Sequence, residues 1–320
     1  MLKMSLTLVT GLVRDRLGRA SSLAQCLDTN AEKLQVSSLD ASPGSIAADS
    51  VPRWHEWGQG SRSDGAVFRA GELLGWKTHR NFGYRSYRIV HPDLARLGDC
   101  TQLPGWHCDI QDVDGLHASK LTLLRFNSLD AMAQQEAAKL IDEVSSARLA
   151  RLLERHEIRA LCRRRSGDHF VRYLWDGRTF LINRSGSVHF AAARFMAARL
   201  EQRVALGGEL HVHSIEPQAV SSLRRDFELF AVSARDAFAS IAFHEALRRS
   251  HTPYLSKRMP RPHAHTEVIF LPRDDRRSVA VAAELRVAGF PDAGKHLSTL
   301  VLRQHMNAVR HGDGQDAMAA

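Results

Sequence analysis

The chain is poor in cysteine and has no long hydrophobic run. Its 320 residues include four cysteines, and none of them forms a CxxC pair or shows the spacing of a zinc site. This composition excludes a disulfide-rich secreted scaffold and predicts free thiols in a reducing compartment. No stretch approaches the roughly 18 consecutive apolar residues of a membrane span, and the apolar segment at 4–13 lacks the cleavage pattern of a signal peptide. We therefore expect a cytoplasmic protein without a membrane partner.

Positive charge is abundant and unevenly distributed. The formal net charge is +9, from 44 lysines and arginines against 35 acidic residues. Between Arg148 and Arg203 the chain has thirteen arginines against five acids, which gives a local excess of +8. Such a concentration favours an anionic partner, a nucleotide or a nucleic acid. The alternative is a chain in which arginines solvate helix surfaces.

Composition divides the chain into four segments. Residues 1–50 are rich in Ser, Ala and Asp and are expected to be weakly ordered. Residues 51–119 contain four of the five tryptophans and many glycines, which indicates an irregular, β-leaning subdomain. Residues 120–306 form the main domain, and 307–320 form a polar, flexible tail.

Within the main domain, apolar periodicity predicts alternating strands and helices. The strands are expected at 121–126, 158–162, 170–174, 179–182, 209–215, 229–233 and 266–271. The helices are expected at 129–144, 189–200, 236–249, 278–288 and 295–305, with a further helix starting at Pro217. This order predicts an α/β or α+β fold with a mixed sheet.

One loop has the composition of an anion site. The expected strand 179–182 is followed by Arg184, Ser185, Gly186, Ser187 and then a helix that includes His189. Glycine allows a close backbone approach, serines supply hydroxyl donors, and a helix N-terminus favours negative charge. The loop is therefore the candidate phosphate-binding site. The alternative is an ordinary connection in which Ser185 or Ser187 caps the helix.

The same region resembles a known fold. The runs GRTFLI at 177–182 and GSVHFAAA at 186–193, followed by a strand near 210–215, are similar to the core of the ParB/sulfiredoxin-like fold over residues 120–215. That resemblance implies a nucleotide-phosphate box at Gly186 and His189. Ser187 and Val188 stand where ParB-type proteins carry an acid and a base, and the box has no cysteine, so neither ParB-type hydrolysis nor sulfiredoxin chemistry is implied. The run also resembles uncharacterised bacterial proteins, a likeness that implies no activity.

A pair of histidines offers a different chemistry. His211 and His213 lie two residues apart on an expected strand, so both imidazoles project from one face of it. A metal ion could use such a pair, which would make the protein a metal-dependent hydrolase. No sequence pattern supplies a third ligand, and no cofactor can be assigned.

The sequence therefore leaves three interpretations open. The first is a protein that binds a phosphate-bearing ligand at Arg184–His189. The second is a non-catalytic structural or protein-interaction protein in which the same loop only begins a helix. The third is the hydrolase based on His211 and His213.

Overall fold

A computed structural model describes residues 20–40, 44–63, 66–79, 83–155, 158 and 168–312. The helices are α1 (Ala20–Leu34), α2 (Trp54–Trp57), α3 (Pro92–Ala95), α4 (Leu129–Glu136), α5 (Ala138–Ile141), α6 (Ser146–Leu153), α7 (Ser187–Arg199), α8 (Pro217–Asp226), α9 (Ala237–Arg249), α10 (Arg276–Val287) and α11 (Ala293–His311). Short 3-10 segments occur at Ala48–Ser50, Ile110–Asp112 and Leu123–Arg125.

The strands form one hairpin and two five-stranded sheets. They are β1 (Ser61–Ser63), β2 (Ala66–Phe68), β3 (Glu72–His79), β4 (Gly83–Val90), β5 (Gly98–Asp109), β6 (Gly115–Leu116), β7 (His169–Tyr173), β8 (Thr179–Ile182), β9 (Ala205–Ile215), β10 (Phe227–Ser233), β11 (Tyr254–Arg258) and β12 (Thr266–Pro272). Parallel pairing is confined to β6 with β8 and β7 with β9 among the described strands. The fold is therefore α+β.

The chain forms two compact units, each built from separated stretches. The first contains 20–39, 56–97 and 216–299, and the second contains 40–55, 98–215 and 300–312, apart from the residues outside the description. Residues 51–119 carry β1 to β6, but β3 and β4 belong to one sheet and β5 and β6 to the other. The sequential division into four segments stays a prediction.

The first unit is built on an antiparallel sheet. Its strand order is β10-β12-β11-β3-β4, and β3 and β4 pair without a break from Glu72↔Val90 to His79↔Gly83. Helices α1, α9 and α10 contribute to a core with buried strand residues such as Phe230, Tyr254 and Ile269. Strands β10 and β12 are buried along most of their length, whereas every residue of the edge strand β4 is exposed or half-buried.

The second unit has a mixed sheet with the order β5-β9-β7-β8-β6. Phe170 lies opposite both Leu181 and Leu210, so one face of this sheet is apolar. Helix α7 lies in the same core through Phe190 and three consecutive buried alanines, Ala191 to Ala193. Alanine side chains allow a helix to pack close to its neighbours, which explains why α7 is buried on most of its circumference.

Several expectations are confirmed and others are wrong. The strands predicted at 170–174, 179–182, 209–215, 229–233 and 266–271 are present, as is the helix beginning at Pro217. Residues 121–126 contain a 3-10 turn at Leu123–Arg125 instead of a strand, and Leu123 and Phe126 are buried at the spacing of three that suits such a turn. The helix expected at 129–144 breaks at Ala137.

Two predicted helices are longer in the structure, and part of one predicted strand lies outside the described residues. Ile158 has helical backbone rather than a strand start, and 159–162 lie outside the description. The helix expected from 189 begins at Ser187, and the last helix continues to His311. Among the described residues, no helix combines the length and the apolar character needed to cross a membrane.

Candidate functional site

Asn183 holds the candidate loop in place. This buried residue follows β8, and its side-chain oxygen accepts the N–H groups of His117 and Ala118 at 3.2 and 3.1 Å. Its Nδ2 donates to the carbonyls of Ala118 and Ser185 at 2.8 and 3.0 Å. A primary amide has two donors and one oxygen acceptor with two lone pairs, so its hydrogen-bonding capacity is filled. The loop at 183–187 is thereby fixed against the one at 117–119.

Ser187 makes a second link between the two loops. Its hydroxyl lies 2.8 Å from that of Ser119, and its side chain is buried. The Ser119 oxygen also accepts the Leu121 N–H at 3.1 Å. The Ser187 hydroxyl, a candidate phosphate donor, therefore contacts Ser119, because β6 and β8 pair in parallel and bring the segments that follow them together.

The start of α7 differs in its cap from five other helix starts, while α3 and α5 also lack a capping side chain. Gly186 is the N-cap residue and has a left-handed backbone, with φ 77° and ψ 11°. The caps of α4, α6, α8, α9 and α10 are Ser128, Ser145, Glu216, Asp236 and Asp275, whose side chains accept first-turn N–H groups. A glycine has no such acceptor, so Gly186 gives the first turn of α7 no side-chain cap.

The residues of the loop differ in their exposure to solvent. Arg184 and Ser185 are exposed, whereas Gly186 and His189 are half-buried. The surface of the loop therefore consists of the Arg184 guanidinium, the Ser185 hydroxyl and the backbone at the start of α7.

Many of the arginines counted around the loop have structural partners. Arg178 binds both oxygens of Asp176 and the Ser45 carbonyl. Arg194 forms an ion pair with Asp130 at 2.7 Å. Arg172 is buried, and its Nε donates to the Thr179 hydroxyl. Arg159 and Arg163 to Arg165 lie outside the described residues, so Arg184 is the arginine that the described structure places in the loop itself.

The face of the second sheet opposite α7 is rich in histidine. His211 lies across from Val171 and His213 across from Tyr173 in the parallel β7–β9 pair. The rings of His169 and His211 have centroids 4.5 Å apart, and His211 Nε2 lies 3.1 Å from a Glu209 carboxylate oxygen. His55 stacks on His213 with a centroid distance of 3.8 Å. The sequence pair therefore belongs to a row of four imidazoles.

Burial disfavours the charged form of three of these four imidazoles. Burial lowers the pKa of His55 to about 3 and that of His213 to about 4, and burial also lowers the pKa of His169. Among the described residues, no group of three or more His, Cys, Asp or Glu side chains could hold a metal ion. The hydrolase interpretation consequently gains no third ligand from that part of the chain.

Sequence reasoning missed the partners on which both features depend. Asn183 and Ser119 carry no motif, and His55 and His169 are distant in sequence from His211 and His213. The available signal was the alternation along β7, since a strand that begins at His169 places the side chains of His169 and Tyr173 on one face.

Comparisons with known proteins give a family and no function. No curated protein and no solved structure matches the chain, so the resemblance to the ParB/sulfiredoxin-like fold has no support from a solved neighbour. One family model matches residues 103–310. The chain belongs to the family described as DUF6685, a family of unknown function.

Proposed function

We propose that the protein binds a phosphate-bearing ligand, a nucleotide or a nucleic acid, at the loop Arg184–His189. The observation that carries this proposal is the left-handed Gly186 at the N-cap of the thirteen-residue helix α7, where the cap residue has no side-chain acceptor. Backbone N–H groups at a helix start present partial positive charge to an anion. We assign no reaction to this site.

Each loop residue would have a distinct role in binding. The N–H groups from Gly186 to Val188 would donate to phosphate oxygens, while the exposed Arg184 and Ser185 would add a charge and a hydroxyl donor. Asn183 and the Ser119–Ser187 pair would keep the loop in one conformation before the ligand arrives, which limits the entropy lost on binding. The net charge of +9 would favour encounter with an anion.

A thermal-shift panel tests the proposal. The probes are ATP, CTP, ADP-ribose and a short DNA duplex, each with Mg²⁺. A ligand that binds only the folded state, at a concentration 100 times its Kd, adds about 2.7 kcal/mol to the free energy of unfolding. We expect one of these probes to raise the melting temperature by a few degrees.

Two matched pairs of variants locate the site. Gly186→Asp places a carboxylate at the helix start, and Gly105→Asp is its control because Gly105 has a similar φ of 71° with open space around its Cβ position. Arg184→Glu is matched by Arg203→Glu, whose side chain is 95% exposed in the same unit. The shift should disappear in the first member of each pair and persist in the second. If no probe shifts the wild type, or if both members of a pair respond alike, the proposal is wrong.

A further inference from the structure

The strand edges of the two sheets are protected to different degrees. The edge strand β5 has a register break between Leu103 and Trp106, which includes Pro104, and β6 is two residues long. The edge strand β10 is joined to the segment after α10 by the Ala231 N–H bond to the Pro291 carbonyl, at 2.9 Å. Bulges, prolines, short strands and covering segments are the usual ways in which proteins prevent pairing at an edge.

Among the described residues, strand β4 has no bulge, no proline and no neighbouring strand on its outer side. It is eight residues long, contains no proline, and pairs with β3 without a register shift. It ends the sheet order among the described strands, so its outer N–H and C=O groups face no described strand. Every residue of β4 is exposed or half-buried. Such an edge is a template for an additional strand.

The charges on β4 define what kind of strand fits. Its sequence GYRSYRIV contains Arg85 and Arg88 and no acid. Arg85 lies directly opposite Lys77 of β3, and both side chains are exposed. Like charges at opposed positions on a sheet are unfavourable. An acidic residue on an added strand would lie beside two positive charges.

A groove continues the same surface at the end of β4. Its volume is about 470 Å³, and it is lined by Val67, Arg69, Glu72, Arg88, Ile89 and Val90. Val67 and Val90 are 61% and 55% exposed. The Glu72 carboxylate is already paired with Arg88 at 3.2 Å. The groove therefore offers exposed valines for apolar side chains beside a surplus of positive charge.

We propose that β4 is a docking edge for an extended acidic segment of another protein. The segment pairs its backbone with β4 as a sixth strand of this sheet, places carboxylates beside Arg85 and Lys77, and sets apolar side chains against Val67 and Val90. A second copy of this chain fits less well, because antiparallel pairing of β4 with itself brings Arg85 of one copy beside Arg88 of the other. This surface is independent of the loop Arg184–His189.

The test uses two synthetic peptides as long as β4. One alternates valine with glutamate and the other alternates valine with lysine. We expect the glutamate peptide to bind the full chain by fluorescence anisotropy and to slow hydrogen exchange at 83–90. The lysine peptide should bind about tenfold more weakly or not at all. Methylating alternate backbone nitrogens along one edge of the glutamate peptide should abolish binding, while methylation along the other edge should preserve it.

Charge reversal gives the matched control. Arg85→Glu should weaken the glutamate peptide about tenfold and favour the lysine peptide. Arg235→Glu replaces another exposed arginine of the same unit and should change neither, with circular dichroism confirming that both variants fold. The proposal is overturned if the glutamate peptide fails to bind, if both peptides bind equally, or if exchange slows elsewhere. Protection of 83–90 by self-association alone would also overturn it.

Discussion

The imidazole rings of His55 and His213 lie nearly face to face, with centroids 3.8 Å apart and planes 25° from parallel. Tyr173 extends the stack, 5.4 Å from His213, and the Arg53 guanidinium lies 4.8 Å from the centre of the Tyr173 ring. Burial is the largest cause of the low pKa of both histidines, and the neighbouring charges of Arg53 and the other imidazoles lower it further. The stack therefore requires neutral rings.

This stack predicts loss of stability in mild acid. At least one pH unit above 6.5 both histidines are almost entirely neutral in the folded and unfolded chain, so they add little pH dependence there. Below pH 6.5 both histidines become protonated in the unfolded chain. In the folded chain they stay neutral until the pH approaches their lowered pKa values, about 3 for His55 and about 4 for His213. Each group then lowers the free energy of unfolding by up to about 1.4 kcal/mol per pH unit.

Urea denaturation between pH 7.5 and 5 measures this loss. His213→Phe keeps an aromatic ring in the stack and removes one titrating group. It should make the free energy of unfolding fall less steeply with pH over that interval, where ordinary carboxyl groups remain ionised. An unchanged slope in the variant would show that His213 titrates normally in the folded chain.

The second prediction concerns Asn183. Asn183→Asp keeps the size of the side chain but replaces the two N–H donors that bind the Ala118 and Ser185 carbonyls. A buried carboxylate facing two carbonyl oxygens should lower the free energy of unfolding by roughly 2–4 kcal/mol. The exposed neighbour Ser185 is the control, since Ser185→Ala should stay within about 0.5 kcal/mol of wild type. Equal effects of both changes on the urea midpoint would contradict the anchoring role of Asn183.

The local sequence pattern predicted most strands correctly, but it could not assign the secondary structure of a short apolar run. The strands β8, β10 and β12 follow from apolar runs bounded by turn residues. Residues 121–126 show a similar run, but Leu123 and Phe126 are buried at the spacing of a 3-10 turn. A short apolar run does not by itself distinguish a strand from a helical turn, because only the tertiary partner decides which spacing is buried.

The sequence predicted the loop but not the residues that hold it in place. Gly186 before an alanine-rich helix was visible as a strand–helix connection. Its anchoring depends on Ser119 and on the backbone at 117–118, about 65 residues earlier in the chain. That contact arises from two residues of parallel pairing in β6, a feature too short to leave a pattern. The arginine count also overstated the local charge, since acids outside the counted segment, such as Asp142 and Asp130, pair with Arg148 and Arg194.

Gln304 gives a third prediction, from a contact that sequence could not indicate. This buried side chain accepts the Ile215 N–H at 2.8 Å and donates to the Ile215 carbonyl at 2.6 Å, as a neighbouring strand would. Gln304→Met leaves both buried backbone groups unpaired and should lower the free energy of unfolding by about 2–4 kcal/mol. Gln102→Met, at an exposed position of the same unit, should have little effect. Similar urea midpoints for the two variants would refute the pairing.

Two buried tyrosines provide the last prediction, because one hydroxyl is hydrogen-bonded and the other is not. The Tyr254 hydroxyl lies 2.8 Å from His244 Nδ1, and His244 Nε2 lies 2.9 Å from a Glu267 carboxylate oxygen. An ionised carboxylate only accepts, so in the neutral imidazole Nε2 carries the proton and Tyr254 donates to Nδ1. The Tyr173 hydroxyl is also buried, but it has no hydrogen-bond partner among the described residues.

The two Tyr→Phe variants should therefore differ in the sign or the size of their effect on the free energy of unfolding. Tyr254→Phe removes the donor to His244 and should lower the free energy of unfolding by about 1–2 kcal/mol. Tyr173→Phe removes an unpaired buried hydroxyl and should be neutral or slightly stabilising, since no hydrogen bond is lost and a desolvation penalty is relieved. Urea denaturation at pH 7.5 compares the variants under the same conditions, where the carboxylate of Glu267 is ionised because its pKa is lowered in the folded chain. A larger loss for Tyr173→Phe than for Tyr254→Phe would show that the hydroxyl of Tyr173 has a bonded partner in solution and that the Tyr254–His244 bond contributes less than its geometry indicates.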